Sequence, residues 1–222
     1  IILSCLLLQL QLTTVAGSLT DRATGIPFAA KLRELELFGV GVRKKGPIKV
    51  YSVGMYCSNT IKASLAGFSK SAAGKKEARA ALCQGAKESK EGTSFLLQMN
   101  FKVGAEKMAS AIAESVEPRH SSQAEVESLK DLIAKGVAAK GAATKGTTIR
   151  FDCNCIASEG VEGEDGESQD AVVGGIGVSV DGKEQGMVPS TELAKSFCDV
   201  YLDDKCVSKP LVDSCIDNCC AP

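Results

Sequence analysis

The chain has 222 residues, of which 44% are hydrophobic, 24% charged and 5% aromatic, and its formal net charge is −1. This length fits one domain or at most two small ones. A nearly neutral chain has no long-range field to attract nucleic acid or an anionic membrane, and no basic face interleaved with aromatic residues is apparent, which argues against a nucleic-acid partner.

The first 17 residues resemble a secretory signal peptide. Ile1 to Val15 carries no charge and is followed by small residues, which predicts cleavage near Ala16 or Gly17. The absence of an initial Met and of a basic leader predicts a truncated N-terminus. The stretch is too short and too polar for a membrane span, so none is expected after signal removal. A buried N-terminal helix is the alternative.

The segments that follow alternate between strand and helix patterns. Residues 18–30 are expected to form an extended leader, 31–218 a single domain and 219–222 a tail. The predicted strands are Glu34–Val42, Ile48–Cys57, Thr93–Val103, Thr147–Cys155, Ala171–Val180 and Glu184–Met187. The predicted helices are Asn59–Ser69, Lys75–Ser89, Ala105–Val116, Ser122–Ala139 and Ser190–Leu202.

Caps and loops support these boundaries. Asn59 is the expected N-cap of the first helix, and Ser122 with Glu125 matches a capping box. An exposed turn is predicted at Lys135–Gly146 and an acidic, glycine-rich loop at Ser158–Asp170. The order of strands and helices predicts an α+β fold, an open-faced and mostly antiparallel sheet with helices packed on one face.

The ten cysteines favour an oxidising compartment. Removal of Cys5 with the signal leaves nine, an odd number, so at least one thiol is free or pairs with another chain. Disulfides are favoured over zinc, since the spacing matches no paired C-x₂-C arrangement. The single histidine, His120, is expected to act as a cap or dipole partner at a helix C-terminus, and no metal or cofactor site is predicted.

Arg43 and Tyr51 are the candidate binding residues, because an arginine and a phenol in an otherwise apolar sheet suit a carboxylate or phenolate. The two share a face only if the Gly46-Pro47 turn has odd length or the hairpin carries a bulge. In the alternative interpretation, Arg43 covers a sheet edge and Tyr51 packs in the core.

Several segments resemble the chalcone isomerase superfamily. The resemblance starts at Gly39-Val-Gly-Val-Arg43 and Lys49-Val-Tyr-Ser-Val-Gly-Met-Tyr56 and continues through Phe95–Glu117. It returns at Val178–Lys183 and Ala194–Ser208, so that it covers about Leu32 to Asn218. It implies an open-faced antiparallel sheet with helices packed against it.

The family has an isomerase branch and a fatty-acid-binding branch. Arg43 matches the arginine of both, whereas Tyr51 stands where an isomerase has threonine and matches the carboxylate-binding tyrosine of the other branch. Lys107 and Glu114 stand near the isomerase tyrosine and asparagine positions. The resemblance therefore implies a non-catalytic protein that binds a fatty acid or similar amphipathic carboxylate between sheet and helices.

In this interpretation Arg43 anchors the ligand and Tyr51 donates a further hydrogen bond. The predicted pocket walls are Val53, Met55, Leu97, Met99, Met108 and Ile112. One alternative is an intramolecular lyase of the chalcone isomerase type, with Arg43, Tyr51 and Lys107 as catalytic residues. The other is a cysteine-stabilised extracellular interaction domain. The expected location is extracellular, or a plastid reached by a two-step targeting sequence, since plastid residence is common in the fatty-acid-binding branch.

Overall fold

A computed structural model of the chain describes residues 18–159 and 171–220. The expected signal peptide and most of the acidic loop predicted at Ser158–Asp170 lie outside these residues. The α+β class is confirmed.

The described residues form eleven strands and six helices. The strands are β1 (Leu19–Thr20), β2 (Pro27–Phe28), β3 (Lys31–Leu32), β4 (Leu35–Lys45), β5 (Ile48–Cys57), β6 (Thr93–Met99), β7 (Val103–Gly104), β8 (Ala142–Ala143), β9 (Thr148–Glu159), β10 (Ala171–Val180) and β11 (Lys183–Val188). The helices are α1 (Asn59–Leu65), α2 (Ala72–Glu88), α3 (Ala105–Val116), α4 (Gln123–Ala138), α5 (Thr191–Leu202) and α6 (Lys209–Cys219), with a 3₁₀ turn at Glu117–Arg119.

Seven strands form one antiparallel sheet in the order β11-β10-β9-β6-β5-β4-β3. The helices cover one face, and the core between the two layers is centred on aromatic side chains. Phe95 and Phe151 lie opposite each other on β6 and β9. Tyr201 of α5 stacks on Phe95 at 4.7 Å between ring centroids, and Phe197 contacts both phenylalanines. This aromatic cluster fixes α5 on the centre of the sheet.

The other face of the sheet is partly covered by the N-terminal segment, which folds into the β1–β2 hairpin rather than an extended leader. Phe28 is buried against Gly54, where an added Cβ would lie 2.7 Å from the phenylalanine ring. Asp21 accepts hydrogen bonds from the hydroxyls of Ser52 and Thr24, each at 2.7 Å. Residues 18–30 are thus packed as part of the domain.

The predicted C-terminal boundary is wrong in a similar way, because helix α6 occupies Lys209–Cys219 and buries Cys219 and Cys220, which were expected to be tail. The helix packs directly on β4. A Cβ added at Gly39 would lie 2.5 Å from the Cys215 nitrogen, and one at Gly41 would lie 2.3 Å from the Leu211 nitrogen. The two glycines therefore permit a helix to approach the strand closely.

Other boundaries differ in detail. Strand β4 continues past Arg43 to Lys45, and the predicted strand Thr93–Val103 is divided into β6 and β7. Ser58, whose backbone is extended, is the N-cap residue of α1 in place of Asn59. The side-chain amide of Asn59 donates to the Glu36 carboxylate at 3.0 Å. The Ser122 cap is confirmed, with its hydroxyl accepting from the Glu125 backbone nitrogen. The predicted turn at Lys135–Gly146 is partly helical and partly β8.

Seven of the cysteines, which were expected to form disulfides, are free thiols in the structure. They are Cys57, Cys83, Cys198, Cys206, Cys215, Cys219 and Cys220. Most fill space in the core, and burial raises the pKa of Cys57 and of Cys219 to about 11. These thiols behave as small apolar groups. Within the part of the chain that the structure describes, no helix is long and apolar enough to cross a membrane.

Candidate functional site

The β4–β5 hairpin brings Arg43 and Tyr51 together on the face of the sheet that the helices cover. Lys45 pairs with Ile48 across the two-residue Gly46-Pro47 turn, and Gly46 adopts a left-handed φ of 58°. The register then shifts, so that Val50 is an extra residue on β5 and Arg43 lies directly opposite Tyr51. The turn has even length, and the bulge is what places both side chains on one face.

Three acceptors orient the Arg43 guanidinium. Nη1 donates to the Tyr51 hydroxyl at 3.2 Å, and Nη2 donates to the Ser115 hydroxyl at 3.0 Å and to the Ala111 carbonyl at 3.5 Å. Ser115 and Ala111 lie on α3, so the arginine joins the hairpin to this helix. The Ser115 hydroxyl itself donates to the Ala111 carbonyl at 2.9 Å, which fixes its lone pairs toward the guanidinium.

A buried hydroxyl pair supports this arrangement. The Tyr51 oxygen lies 2.9 Å from the Tyr201 oxygen, and both side chains are buried. Since Tyr51 accepts from Arg43, it can donate to Tyr201. Burial, followed by the neighbouring Tyr51, raises the pKa of Tyr201 well above its ordinary value. Tyr201 therefore stays a neutral phenol, and it holds the Tyr51 hydroxyl in place beside the guanidinium.

Arg43 has no carboxylate partner among the described residues: none lies within 4.0 Å of its guanidinium, although the side chain is half-buried. Burial lowers the pKa of Arg43, but Tyr51, Tyr201 and the more distant Glu114 outweigh this and raise it above the ordinary value. The guanidinium is thus charged. Of its five N–H groups, one on Nε and one on Nη1 are not used in its bonds to the described residues.

A cavity of about 390 Å³ opens beside the guanidinium, between the β4–β5 hairpin, the β6–β7 loop and α3. Its apolar lining comes from Ile48, Val50, Phe101, Val103, Met108, Ala111 and Ile112. Its polar lining comes from Arg43, Lys44, Lys45, Tyr51, Lys107, Ser110 and Glu114. The volume lies within the range of about 300–1,000 Å³ that is typical of small-molecule sites.

The predicted pocket walls fall into two groups. Met108 and Ile112 of α3 line the cavity. The other four side chains, Val53, Met55, Leu97 and Met99, are fully buried in the core and do not line it. They belong to the core between the sheet and the helices, where Cys215 of α6 contacts Met55. The cavity therefore lies at one end of the sheet and does not extend deep between sheet and helices.

The remaining candidate, Lys107, lies on the exposed rim of the same cavity. Sequence reasoning missed Ser115 and Tyr201 as partners of the site. Ser115 interrupts the inward stripe of α3 with a hydroxyl at helical spacing from Met108 and Ile112, and Tyr201 stands one turn after Phe197 on the buried face of α5. A polar side chain on an otherwise apolar helix face indicates a buried hydrogen-bond partner, and this pattern could have identified both residues.

The capping role expected of His120 is confirmed for the 3₁₀ turn, where its backbone N–H donates to the Glu117 carbonyl at 3.4 Å. It follows the 3₁₀ turn with extended backbone, and its ring joins the Glu125 carboxylate at 2.8 Å to the Ser196 hydroxyl at 3.2 Å. This contact links α4 to α5 and is remote from the cavity. Among residues 18–159 and 171–220, no cluster of three or more metal-binding side chains is found.

Comparison with known proteins identifies the fold. No family model and no curated protein matches the chain. The crystal structure of a fatty-acid binding protein from Arabidopsis thaliana matches with a TM-score of 0.66 and 21% sequence identity, over 91% of this chain and 97% of that one. The chain thus has the chalcone isomerase fold that its sequence resemblance implied.

Proposed function

We propose that this protein binds a fatty acid or a similar amphipathic carboxylate, with the carboxylate at Arg43. The observation that carries the proposal is a half-buried, charged arginine that has no carboxylate partner within 4.0 Å among the described residues and faces an apolar cavity. Burial by itself disfavours the guanidinium charge, and a ligand carboxylate in direct contact would offset this effect more strongly than the more distant Glu114 does. The fatty-acid binding protein of the same fold supports the ligand class.

The ligand head would be held by charge-assisted hydrogen bonds. The N–H groups on Nε and Nη1 that the described residues leave unused are available to carboxylate oxygens, and each bond to a charged group contributes about 1.5–3 kcal/mol. Tyr51 and Ser115 keep the guanidinium in a fixed orientation before the ligand arrives. This preorganisation reduces the entropic cost of binding.

The tail would lie along Met108, Ile112 and Val103 and leave the cavity past Ile48 and Phe101. Each buried methylene contributes about 0.8 kcal/mol, which corresponds to roughly a fourfold gain in affinity per carbon until the cavity is filled. Further carbons would add little, because the core beneath the site is closed by packed side chains.

Native mass spectrometry of the full chain tests the proposal. We expect copurified carboxylic acids with the wild-type protein, and their loss in Arg43→Ala. Arg33→Ala is the matched control, because it removes an exposed arginine on another part of the surface. Wild-type protein that is empty and takes up no added saturated fatty acid would contradict the proposal.

Ring closure of a chalcone is the second candidate, since Arg43, Tyr51 and Lys107 line one cavity. In that reaction Arg43 would stabilise the attacking phenolate, and Tyr51 or Lys107 would assist proton transfer. Chalcone consumption above the buffer rate, lost in Arg43→Ala and in Lys107→Met, would establish this activity. Turnover equal to buffer, together with fatty-acid binding, would assign the site to binding alone.

A further inference from the structure

The mouth of the cavity carries the two large apolar side chains that are exposed among the described residues. Ile48 is 44% exposed and Phe101 is 51% exposed. Ile48 follows the β4–β5 turn and Phe101 lies in the loop between β6 and β7, yet both line the same cavity. The start of β5 and the β6–β7 loop thus present apolar groups to solvent at one place. Exposed apolar groups gathered in this way mark a surface that contacts another molecule.

Lysines surround these two side chains. Lys44, Lys45 and Lys107 line the cavity, and Lys102 follows Phe101 in the loop; all four are exposed. Across the described ranges, no acidic side chain lies within 4.0 Å of any of these four ammonium groups. Glu114 is the one acidic residue of the cavity lining. The mouth, defined as Lys44, Lys45, Ile48, Phe101, Lys102 and Lys107, is therefore basic although the chain as a whole has a net charge of −1.

We propose that this mouth docks on the surface of an anionic lipid bilayer. Ile48 and Phe101 would enter the boundary between headgroups and acyl chains, and the lysines would contact the anionic headgroups. The long lysine stems allow the ammonium groups to stay at the headgroup level while the apolar side chains insert. The positive charge of the mouth lysines complements the negative headgroups and favours this partner. The weak net charge of the whole chain would not attract the bilayer, so the attraction has to come from the mouth itself.

A second copy of the chain is a poorer occupant of the same surface. Two mouths placed face to face would bring four lysines of one copy against four of the other, and like charges across an interface are unfavourable. An anionic bilayer satisfies the apolar and the basic parts of the mouth together.

Docking would turn the cavity opening toward the bilayer. A fatty acid could then pass between membrane and cavity without crossing open water, with its tail leaving past Ile48 and Phe101. This exchange role rests on the proposed function, whereas docking itself does not. The two are separable by experiment, since vesicle binding and fatty-acid binding in vesicle-free solution are independent measurements.

Flotation of the full chain with vesicles tests the inference. Vesicles of phosphatidylcholine alone are compared with vesicles that contain roughly a third phosphatidylserine, at low and at high salt. We expect the wild-type protein to float with the anionic vesicles, to bind the neutral ones at least tenfold more weakly, and to be released by salt. No flotation with anionic vesicles at low salt would overturn the inference.

Three variants locate the contact. Lys45→Glu/Lys102→Glu should lower anionic vesicle binding at least tenfold, and Phe101→Ser should also lower it. Lys76→Glu/Lys90→Glu is the matched control: it makes the same charge change at exposed lysines of α2 and of the loop before β6 and should lower binding less than threefold. An equal loss in this control, or wild-type binding by Phe101→Ser, would overturn the inference. Circular dichroism confirms that each variant is folded.

Failure of docking and failure of the proposed function give different results. If the mouth does not dock, fatty-acid binding in vesicle-free solution persists while flotation is absent. If the ligand proposal is wrong, flotation persists without fatty-acid uptake. If a second copy covers the mouth, size-exclusion chromatography shows a dimer that Phe101→Ser dissociates and that does not float, which would also overturn the inference.

Discussion

Replacement of Arg43 by methionine separates the role of the guanidinium in binding from its role in folding. Methionine keeps an unbranched side chain but removes the charge and all donors. The structure predicts little effect on stability, because the acceptors of Arg43 keep other partners. Tyr51 remains bonded to Tyr201 at 2.9 Å and Ser115 remains bonded to the Ala111 carbonyl at 2.9 Å. We expect the free energy of unfolding to change by no more than about 1 kcal/mol.

The effect on ligand affinity should be much larger. Loss of two charge-assisted hydrogen bonds, at about 1.5 kcal/mol each, weakens binding by about 3 kcal/mol, or roughly a hundredfold in Kd. Arg43→Lys keeps the charge, but an ammonium group lacks the planar array of donors that lets a guanidinium contact Tyr51, Ser115 and the ligand together. We therefore expect an intermediate loss of about tenfold in ligand affinity. Lys45→Met is the control, because it removes an exposed cation from the same cavity and should cost about twofold.

Titration calorimetry with a saturated fatty acid below its critical micelle concentration measures these affinities, and urea unfolding measures stability. A Kd for Arg43→Met within threefold of wild type would refute the assignment of Arg43 as the anchor. A loss equal in Lys45→Met and Arg43→Met would refute it as well, since the effect would then come from net charge alone.

Four further outcomes follow from the described contacts. Gly41→Ala should lower the free energy of unfolding by about 1–3 kcal/mol, because its Cβ would lie 2.3 Å from the Leu211 backbone. Gly67→Ala, which has open space around it, is the control and should change urea unfolding little; equal effects of the two variants would contradict the close packing of α6 on β4. Tyr201→Phe should cost about 1 kcal/mol in urea unfolding, and no change would mean that its hydroxyl makes no useful bond to Tyr51. The Ser190 hydroxyl and His120 lower the pKa of Glu125 despite the opposing effect of burial, so the Glu125 carboxylate stabilises the fold above the unfolded pKa of 4.5, and this stability is lost as pH falls through the lower folded pKa. Glu125→Gln should therefore reduce the acid-dependent loss of stability measured by thermal unfolding, and an unchanged pH profile would count against this role. Alkylation in denaturant without reductant should modify all seven free thiols, and mass spectrometry counts the modified residues. Two cysteines that escape modification together would reveal a disulfide.

Long periodic segments were predictable from the sequence. Ala105–Val116 and Ala171–Val180 have the predicted bounds, because apolar spacing and a following proline or Asp-Gly turn define them locally. Helix α6 was missed although Leu211, Cys215 and Cys219 recur at helical spacing, because its cysteines were interpreted as disulfide partners and not as apolar core residues. The glycines at 39 and 41 signalled a close approach, but not which element approaches.

At the site, the sequence pointed to Arg43 and Tyr51 and stated the condition for their contact, a bulge in the hairpin. Which residue forms the bulge depends on pairing with the neighbouring strand, and this is not encoded locally. The predicted walls at Val53 and Leu97 faced the expected side, but whether a buried face encloses space or packed side chains depends on the helices above it. The expectation of disulfides is wrong for the seven free cysteines, because small apolar thiols fill a core as readily as they form disulfides.

Dependence of binding on the ligand carboxylate tests the central claim most directly. The affinity of the wild-type protein for a saturated fatty acid is compared with that for its methyl ester and for the alcohol of equal chain length. All three ligands carry the same apolar tail, so the main difference between them is the strength of the bonds that the head group accepts from Arg43. We predict that the acid binds at least tenfold more tightly than the ester and the alcohol, and that this preference disappears in Arg43→Met. Equal affinity for the three ligands would contradict a carboxylate site at Arg43.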